Sequence, residues 1–245
     1  MTDLTVVMAT WKQSECLAEA LNSIYAQDPR DVVVVWEKHD RKTLRVLLPI
    51  YRAHSTRMFT MKADYPDLWR QRQMGLAWPE AGYVTFFDSD DVMLPGWLER
   101  GLKVATEIAS RGKIPIVGPS YRMVDEKLFP MQDVILPEFS LDKMLESCII
   151  PDFSITKTEN LRVAFEAGCK VARKQFTPQY SMYATWLELL KRFDCEVRLL
   201  PDIGFLYRQH RGGMHNRFKN SKRASRKNVE MVKKVARYYF PEGVR

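Results

Sequence analysis

Tyr83-Val84-Thr85-Phe86-Phe87-Asp88-Ser89-Asp90-Asp91 reads as an apolar strand that stops abruptly in carboxylates. Such a strand delivers its acids to the edge of a sheet, where α/β folds bind ligands. Acids this close repel one another unless a cation or solvent compensates. Oxygen ligands of this kind suit Mg²⁺ or Mn²⁺, which keep part of their coordination shell for a phosphate. The spacing points to a nucleoside-diphosphate site. The plain alternative is an acid pair that only caps a loop or a helix.

The stretches before it alternate strand and helix. Residues 4–9 (Leu-Thr-Val-Val-Met-Ala) read as a buried strand, and Ser14 is placed to cap the helix that follows. Leu17, Ala20, Leu21 and Ile24 recur at helical spacing, and Asp28-Pro29 ends the run. Val32 to Trp36 is apolar on both faces, as a central parallel strand should be. Asp40 is a second cap, with Leu44, Leu47, Leu48 and Tyr51 as the apolar stripe of its helix. Residues 57–61 read as a strand and residues 67–77 as a helix. This order predicts a doubly wound α/β half with a mostly parallel sheet. No Gly-x-Gly-x-x-Gly follows the first strand, so a dinucleotide fingerprint is absent.

Beyond Asp91 the pattern loosens. Residues 95–109 predict a helix with Trp97, Leu98, Leu102 and Ala105 inward, and residues 114–117 a strand. Residues 120–140, with Pro130 and Pro137, read as irregular. Helices are expected over 141–148, 158–167 (ending at Gly168), 183–193 and 221–239. Strands are expected over 196–200 and 204–207, on either side of Pro201-Asp202.

A chain of 245 residues with 46% hydrophobic content is long and apolar enough for one large α/β domain. No apolar run approaches the roughly 20 residues that span a bilayer. The first residues lack the basic region of a signal peptide, so a cytoplasmic protein without a transmembrane segment is expected. The cysteines, Cys16, Cys148, Cys169 and Cys195, form no Cys-x-x-Cys pair, which argues against a cysteine zinc site. The net charge is +8, and much of it follows Tyr207: Arg208, Arg211, Arg217, Lys219, Lys222, Arg223, Arg226, Lys227, Lys233, Lys234, Arg237 and Arg245. Such a segment suits phosphates of nucleic acid or an anionic membrane lipid, unless it is simply a solvated helix face.

Taken together, the motifs resemble the inverting nucleotide-sugar glycosyltransferases of the GT-A fold, family 2-like. Val6 to Lys12 resembles that family's opening strand and loop, and Leu17 to Gln27 its first helix. Arg72-Gln73-Met74-Gly75-Leu76 resembles its Ala-Arg-Asn-x-Gly-Leu segment. Tyr83 to Leu98 resembles its Asp-x-Asp strand and Pro-x-Trp-Leu helix start, and Tyr207 to His210 a late Tyr-Arg-x-His element. The match runs in the family's order over most of residues 4–215.

The resemblance implies a GT-A domain over 1–215, with a nucleotide-sugar half (1–118), an acceptor half (119–215) and a basic helical extension (216–245). It implies Thr10 and Trp11 beside the base, Arg72 near the diphosphate or base, and Asp88, Ser89 and Asp90 at the donor. Asp88, Asp90 and His210 would hold Mn²⁺ or Mg²⁺. The implied activity is inverting hexosyl or pentosyl transfer from a nucleotide-diphosphate sugar to a glycan, a lipid carrier or a modified nucleic-acid base.

Two departures stand out. Where the family's second strand ends in a base-binding Asp, this chain reads Trp36-Glu37-Lys38-His39-Asp40, so either Glu37 accepts from the base or Trp36 stacks on it. Where the family carries its catalytic acid, Gln179 to Trp186 holds no carboxylate. Asp91, Asp152 and Glu188 are the candidate substitutes. The missing acid keeps open a catalytically silent relative that binds a nucleotide sugar or glycan. A nucleotidyltransferase is disfavoured, because no Gly-rich phosphate loop with a following Lys lies near the first strand.

Overall fold

The computed structural model describes residues 2–12, 14–64, 67–210 and 222–243. The cations Arg211, Arg217, Lys219 and Arg245 lie outside the described residues, as do the side chains of Ser14, Lys222, Arg223 and Arg226.

The apolar runs form the centre of one sheet. Strands β1 (Thr2–Thr10), β2 (Pro29–Glu37), β3 (Met58–Ala63) and β4 (Tyr83–Asp88) are parallel, in the order β3-β2-β1-β4. Beyond β4 the sheet continues through β8 (Ile155–Lys157), β6 (Ile114–Val124), β9 (Cys195–Arg208) and β5 (Val92–Met93). Strand β7 (Pro130–Val134) pairs antiparallel with the far half of β6.

Both faces of the central strands are covered, which explains their unbroken apolar sequence. Val7, Val33, Val35, Val84 and Phe86 face one core layer. Helices α3 (Leu68–Leu76), α6 (Thr158–Gln175), α7 (Ser181–Arg192) and α8 (Lys222–Tyr239) contribute to that layer. Val6, Met8, Val32, Val34 and Phe87 face the other, against α1 (Ser14–Tyr25), α2 (Arg41–Ala53) and α4 (Trp97–Ser110). A short helix, α5 (Leu141–Glu146), adds Met144 and Leu145 to the first layer. Among the described residues no helix is long and apolar enough to cross a membrane.

Helix termini follow their caps. The Asp40 carboxylate accepts the backbone N–H of Thr43 and starts α2, and Asp67 accepts those of Trp69 and Arg70 and starts α3. The α1 stripe of Leu17, Ala20, Leu21 and Ile24 is fully buried. The α2 stripe is rotated from its expectation: Leu47 and Thr43 are buried, whereas Leu48 and Tyr51 are exposed.

The second half differs more. Residues 120–140 are not irregular throughout, because β6 runs on to Val124 and turns into β7. The strands expected around Pro201-Asp202 are one strand, β9, whose pairing with β6 shifts from Pro119↔Leu200 to Ser120↔Ile203. Pro201 and Asp202 form the bulge that absorbs the shift. Helix α6 does not end at Gly168 but continues to Gln175. A Cβ at Gly168 would lie 2.6 Å from the Thr185 backbone nitrogen, so this glycine serves a close α6–α7 crossing rather than a helix stop. In α8, Val232, Val235, Ala236 and Tyr239 are buried, while Val229 is 52% exposed.

Candidate functional site

The register of the parallel strands brings three sequence candidates to one edge. Thr10 pairs across from Trp36 and Ala9 from Asp88, so β1, β2 and β4 end together at Thr10, Glu37 and Asp88. The chain then turns through Ser89, Asp90 and Asp91. Asp88, Asp90 and Asp91 each offer a carboxylate oxygen, all within 4.8 Å of one another.

The three acids have different surroundings. Asp91 is 1% exposed, and its Oδ1 accepts the Arg208 backbone N–H at 2.8 Å. Its Oδ2 is buried with no hydrogen-bond partner among the described residues. An orphaned buried carboxylate oxygen beside two further acids is what a hard divalent cation satisfies, so the residues fit such an ion. Burial, with Asp90 and Asp88 adding repulsion, pushes the Asp91 carboxyl well above the usual range. Partial burial likewise raises Asp88 to about 6, against the pull of Arg72. His210 stands 2.7 Å from Asp90 Oδ2 through Nε2, and that hydrogen bond raises its pKa. His210 therefore reaches the cluster through Asp90.

Arg72 projects from α3 beneath these acids and is 1% exposed. Its guanidinium is shared: one nitrogen donates to Asp88 Oδ1 at 2.7 Å, the other to Asp152 Oδ2 at 2.6 Å. The Trp69 and Phe86 rings lie 5.4 and 5.1 Å from its centre. Arg72 is thus a buried fork that fixes two carboxylates, one at the strand end and one in the loop before β8.

Around the same edge, Trp11 is 43% exposed, and the Lys12 ammonium lies 4.6 Å from the ring centroid. Glu37 is buried, with Oε1 accepting the His39 N–H at 3.0 Å. Thr10 and Ser89 are buried, and the Thr10 carbonyl accepts from Gln71 at 3.4 Å. Trp36 is in the core at 3% exposure, which removes it as a stacking platform.

Arg208 was absent from the expected site, although the Tyr-Arg-x-His element contained it. Besides its N–H to Asp91, its side chain donates to the carbonyls of Asp90 (2.7 Å) and Glu126 (2.8 Å) and pairs with Glu19. It sets the turn that carries the acids.

A cavity of about 380 Å³ opens beside the acids, lined by Asp88, Asp152 and the rings of Trp69, Tyr121, Tyr180 and Tyr207 among others. Glu188 is not brought there. It pairs with Arg192 and lines a different cavity with Tyr238 and Tyr239.

Residues 5–176 match the profile of glycosyl transferase family 2. No curated protein matches the chain in sequence. Among solved structures, S. aureus TarS 1–349 in complex with UDP-GlcNAc is similar, with a TM-score of 0.67 and 17% identity over 99% of this chain and 67% of that one. A mannosyltransferase, PcManGT from Pyrobaculum calidifontis in complex with GDP-Man and Mn²⁺, gives 0.63 and 14% over 99% and 73%. Against another TarS 1–349 structure the TM-score is 0.62 and the identity 18%, over 85% of this chain and 60% of that one. The chain spans 37% of the longer TarS structure. At these identities the likeness is one of fold.

Proposed function

The chain belongs to glycosyl transferase family 2, and on that premise we propose that it transfers a sugar from a nucleoside-diphosphate donor to an acceptor hydroxyl with inversion. The observation that carries this reading is the convergence of Asp88, Asp90 and Asp91, with the orphaned Asp91 oxygen, at the carboxyl edge of the sheet. Those acids, with His210 beside Asp90, are the residues that would hold Mn²⁺ or Mg²⁺. A divalent cation supplies there the positive charge that a departing nucleoside diphosphate needs.

The chain's own residues do the rest. Arg72 orients Asp88 and offsets part of the cost of its ionisation, and Arg208 fixes the turn from Asp88 to Asp91. Trp11 offers an exposed indole face to the nucleobase, and Glu37 closes the neighbouring strand end. The TarS and PcManGT complexes hold UDP-GlcNAc and GDP-Man, which makes these two donors the first to try. Exposed Lys227, Lys234 and Arg237 on α8 favour an acceptor that carries negative charge, such as nucleic acid or an anionic lipid. Binding to such an acceptor should fall as salt rises.

The test is a thermal-shift and hydrolysis screen of UDP-GlcNAc and GDP-Man, each with and without Mn²⁺. A rise in melting temperature that needs donor and metal together, with slow release of nucleoside diphosphate, supports a transferase. Metal-dependent binding without any release favours the silent relative that the acid-free head of α7 suggests. No response to either donor contradicts donor use of this kind.

A further inference from the structure

We infer that Asp152 is the catalytic residue that takes the proton of the acceptor hydroxyl; the inference rests on the transfer reaction proposed above. An alcohol attacking a sugar carbon must lose its proton, and a carboxylate within reach is the ordinary means. The cavity beside Asp88 is where such an alcohol can approach the donor. Among its lining residues the carboxylates are Asp88 and Asp152. Asp88 belongs to the acidic cluster, which leaves Asp152. The head of α7 lines the same cavity with Gln179, Tyr180, Met182 and Tyr183, none of which is an acid.

The geometry suits the role. Arg72 binds Oδ2 of Asp152, and Oδ1 carries no hydrogen bond among the described residues. The side chain is 33% exposed and lines the cavity. The same guanidinium grips Asp88, which ties the position of Asp152 to that of the acidic cluster. A base held within a narrow range of the reacting centre is what oriented proton transfer needs. The other candidates lack these features: Asp91 is 1% exposed and engaged by Arg208, and Glu188 lines a separate cavity.

In the step, the bond from the acceptor oxygen to the sugar's anomeric carbon forms as the bond from that carbon to the β-phosphate oxygen breaks. The hydroxyl proton passes to Asp152 Oδ1, and the electron pair of the broken bond leaves with the nucleoside diphosphate. Water enters the same way in donor hydrolysis, so the step can be followed without knowing the acceptor.

The experiment compares wild type with Asp152→Asn on UDP-GlcNAc and GDP-Man with Mn²⁺, following donor binding, hydrolysis and melting temperature. Asn still offers Arg72 an amide oxygen. The expected result is donor affinity within about threefold of wild type and hydrolysis reduced about 100-fold or more, the range general bases supply. Sodium azide, a nucleophile with no proton to lose, should restore turnover in the variant as glycosyl azide. A second variant, Asp152→Glu, keeps the carboxylate and should retain part of the hydrolysis. Hydrolysis by Asp152→Asn at the wild-type rate overturns the assignment. So does loss of binding and hydrolysis together, or intact binding without azide rescue. If wild type neither binds nor cleaves these donors, the transfer reading itself falls, an outcome distinct from failure of Asp152 alone.

Discussion

The backbone N–H of Arg208 donates to Oδ1 of Asp91 at 2.8 Å across 117 positions of sequence. This bond ties the end of β9 to the acidic turn after β4 and sets His210, two residues further on, against Asp90. The turn therefore depends on a strand that the chain adds last to the sheet.

Asp91 is consequently expected to lower stability when no metal is bound. Asp91→Asn keeps an acceptor for the Arg208 N–H and removes an acid whose ionisation burial and two neighbouring carboxylates oppose. The metal-free variant should melt at the wild-type temperature or up to about 4 °C higher, the shift that ~1 kcal/mol gives a chain of this size. The added stability from Mn²⁺ with nucleoside diphosphate should disappear. Calorimetry with and without Mn²⁺ checks both; a variant several degrees less stable without metal contradicts the charge argument.

Arg72→Lys should cost stability as well as donor affinity. From sequence alone, the same change keeps the charge and is expected to affect donor binding only. The structure places Arg72 at 1% exposure with both arms of its fork in use, and an ammonium cannot span Asp88 and Asp152 in that geometry. Losing one charged hydrogen bond in a buried setting costs about 1–3 kcal/mol. Urea denaturation should show an earlier midpoint with an unchanged slope. An unaltered midpoint would mean that Arg72 is free to serve a ligand instead.

Gly168→Ala should destabilise the α6–α7 contact, although alanine is the better helix former by about 1 kcal/mol. The added Cβ would meet the Thr185 backbone at 2.6 and 2.8 Å, and backbone yields less readily than a side chain. A net loss of about 1–3 kcal/mol is expected, as for other overpacked cores. A stabilised variant would show that α7 shifts outward at little cost.

These sites mark what the sequence can and cannot disclose. Val32 to Trp36 and Tyr83 to Phe87 are legible because strands buried on both faces need unbroken apolar residues, and α1 because one helical face repeats. Asp88 and Asp90 are legible because they follow such a strand directly. The β6–β7 pairing is hidden by Gly118-Pro119 and Pro130, which look like breakers. Yet Pro119 keeps its register with Leu200, and Pro130 begins β7, which among the described residues pairs only with β6. Gly168 reads locally as a stop because its packing partner, Thr185, belongs to another helix. The Arg72–Asp152 pair spans 80 positions, and no local pattern reports such a contact.

On the proposed reading, the acids after β4 hold a cation that makes a nucleotide-sugar donor bind and react. Its most direct test is Mn²⁺-dependent binding and hydrolysis of UDP-GlcNAc and GDP-Man by wild type and by Asp90→Ala. Asp90 lies at the sheet edge rather than in either core layer, so the variant should fold and melt near the wild-type temperature. Wild type should show metal-dependent donor binding and hydrolysis, and Asp90→Ala should lose both. A folded variant that binds Mn²⁺ and donor as tightly as wild type, and hydrolyses the donor at the same rate, would contradict it.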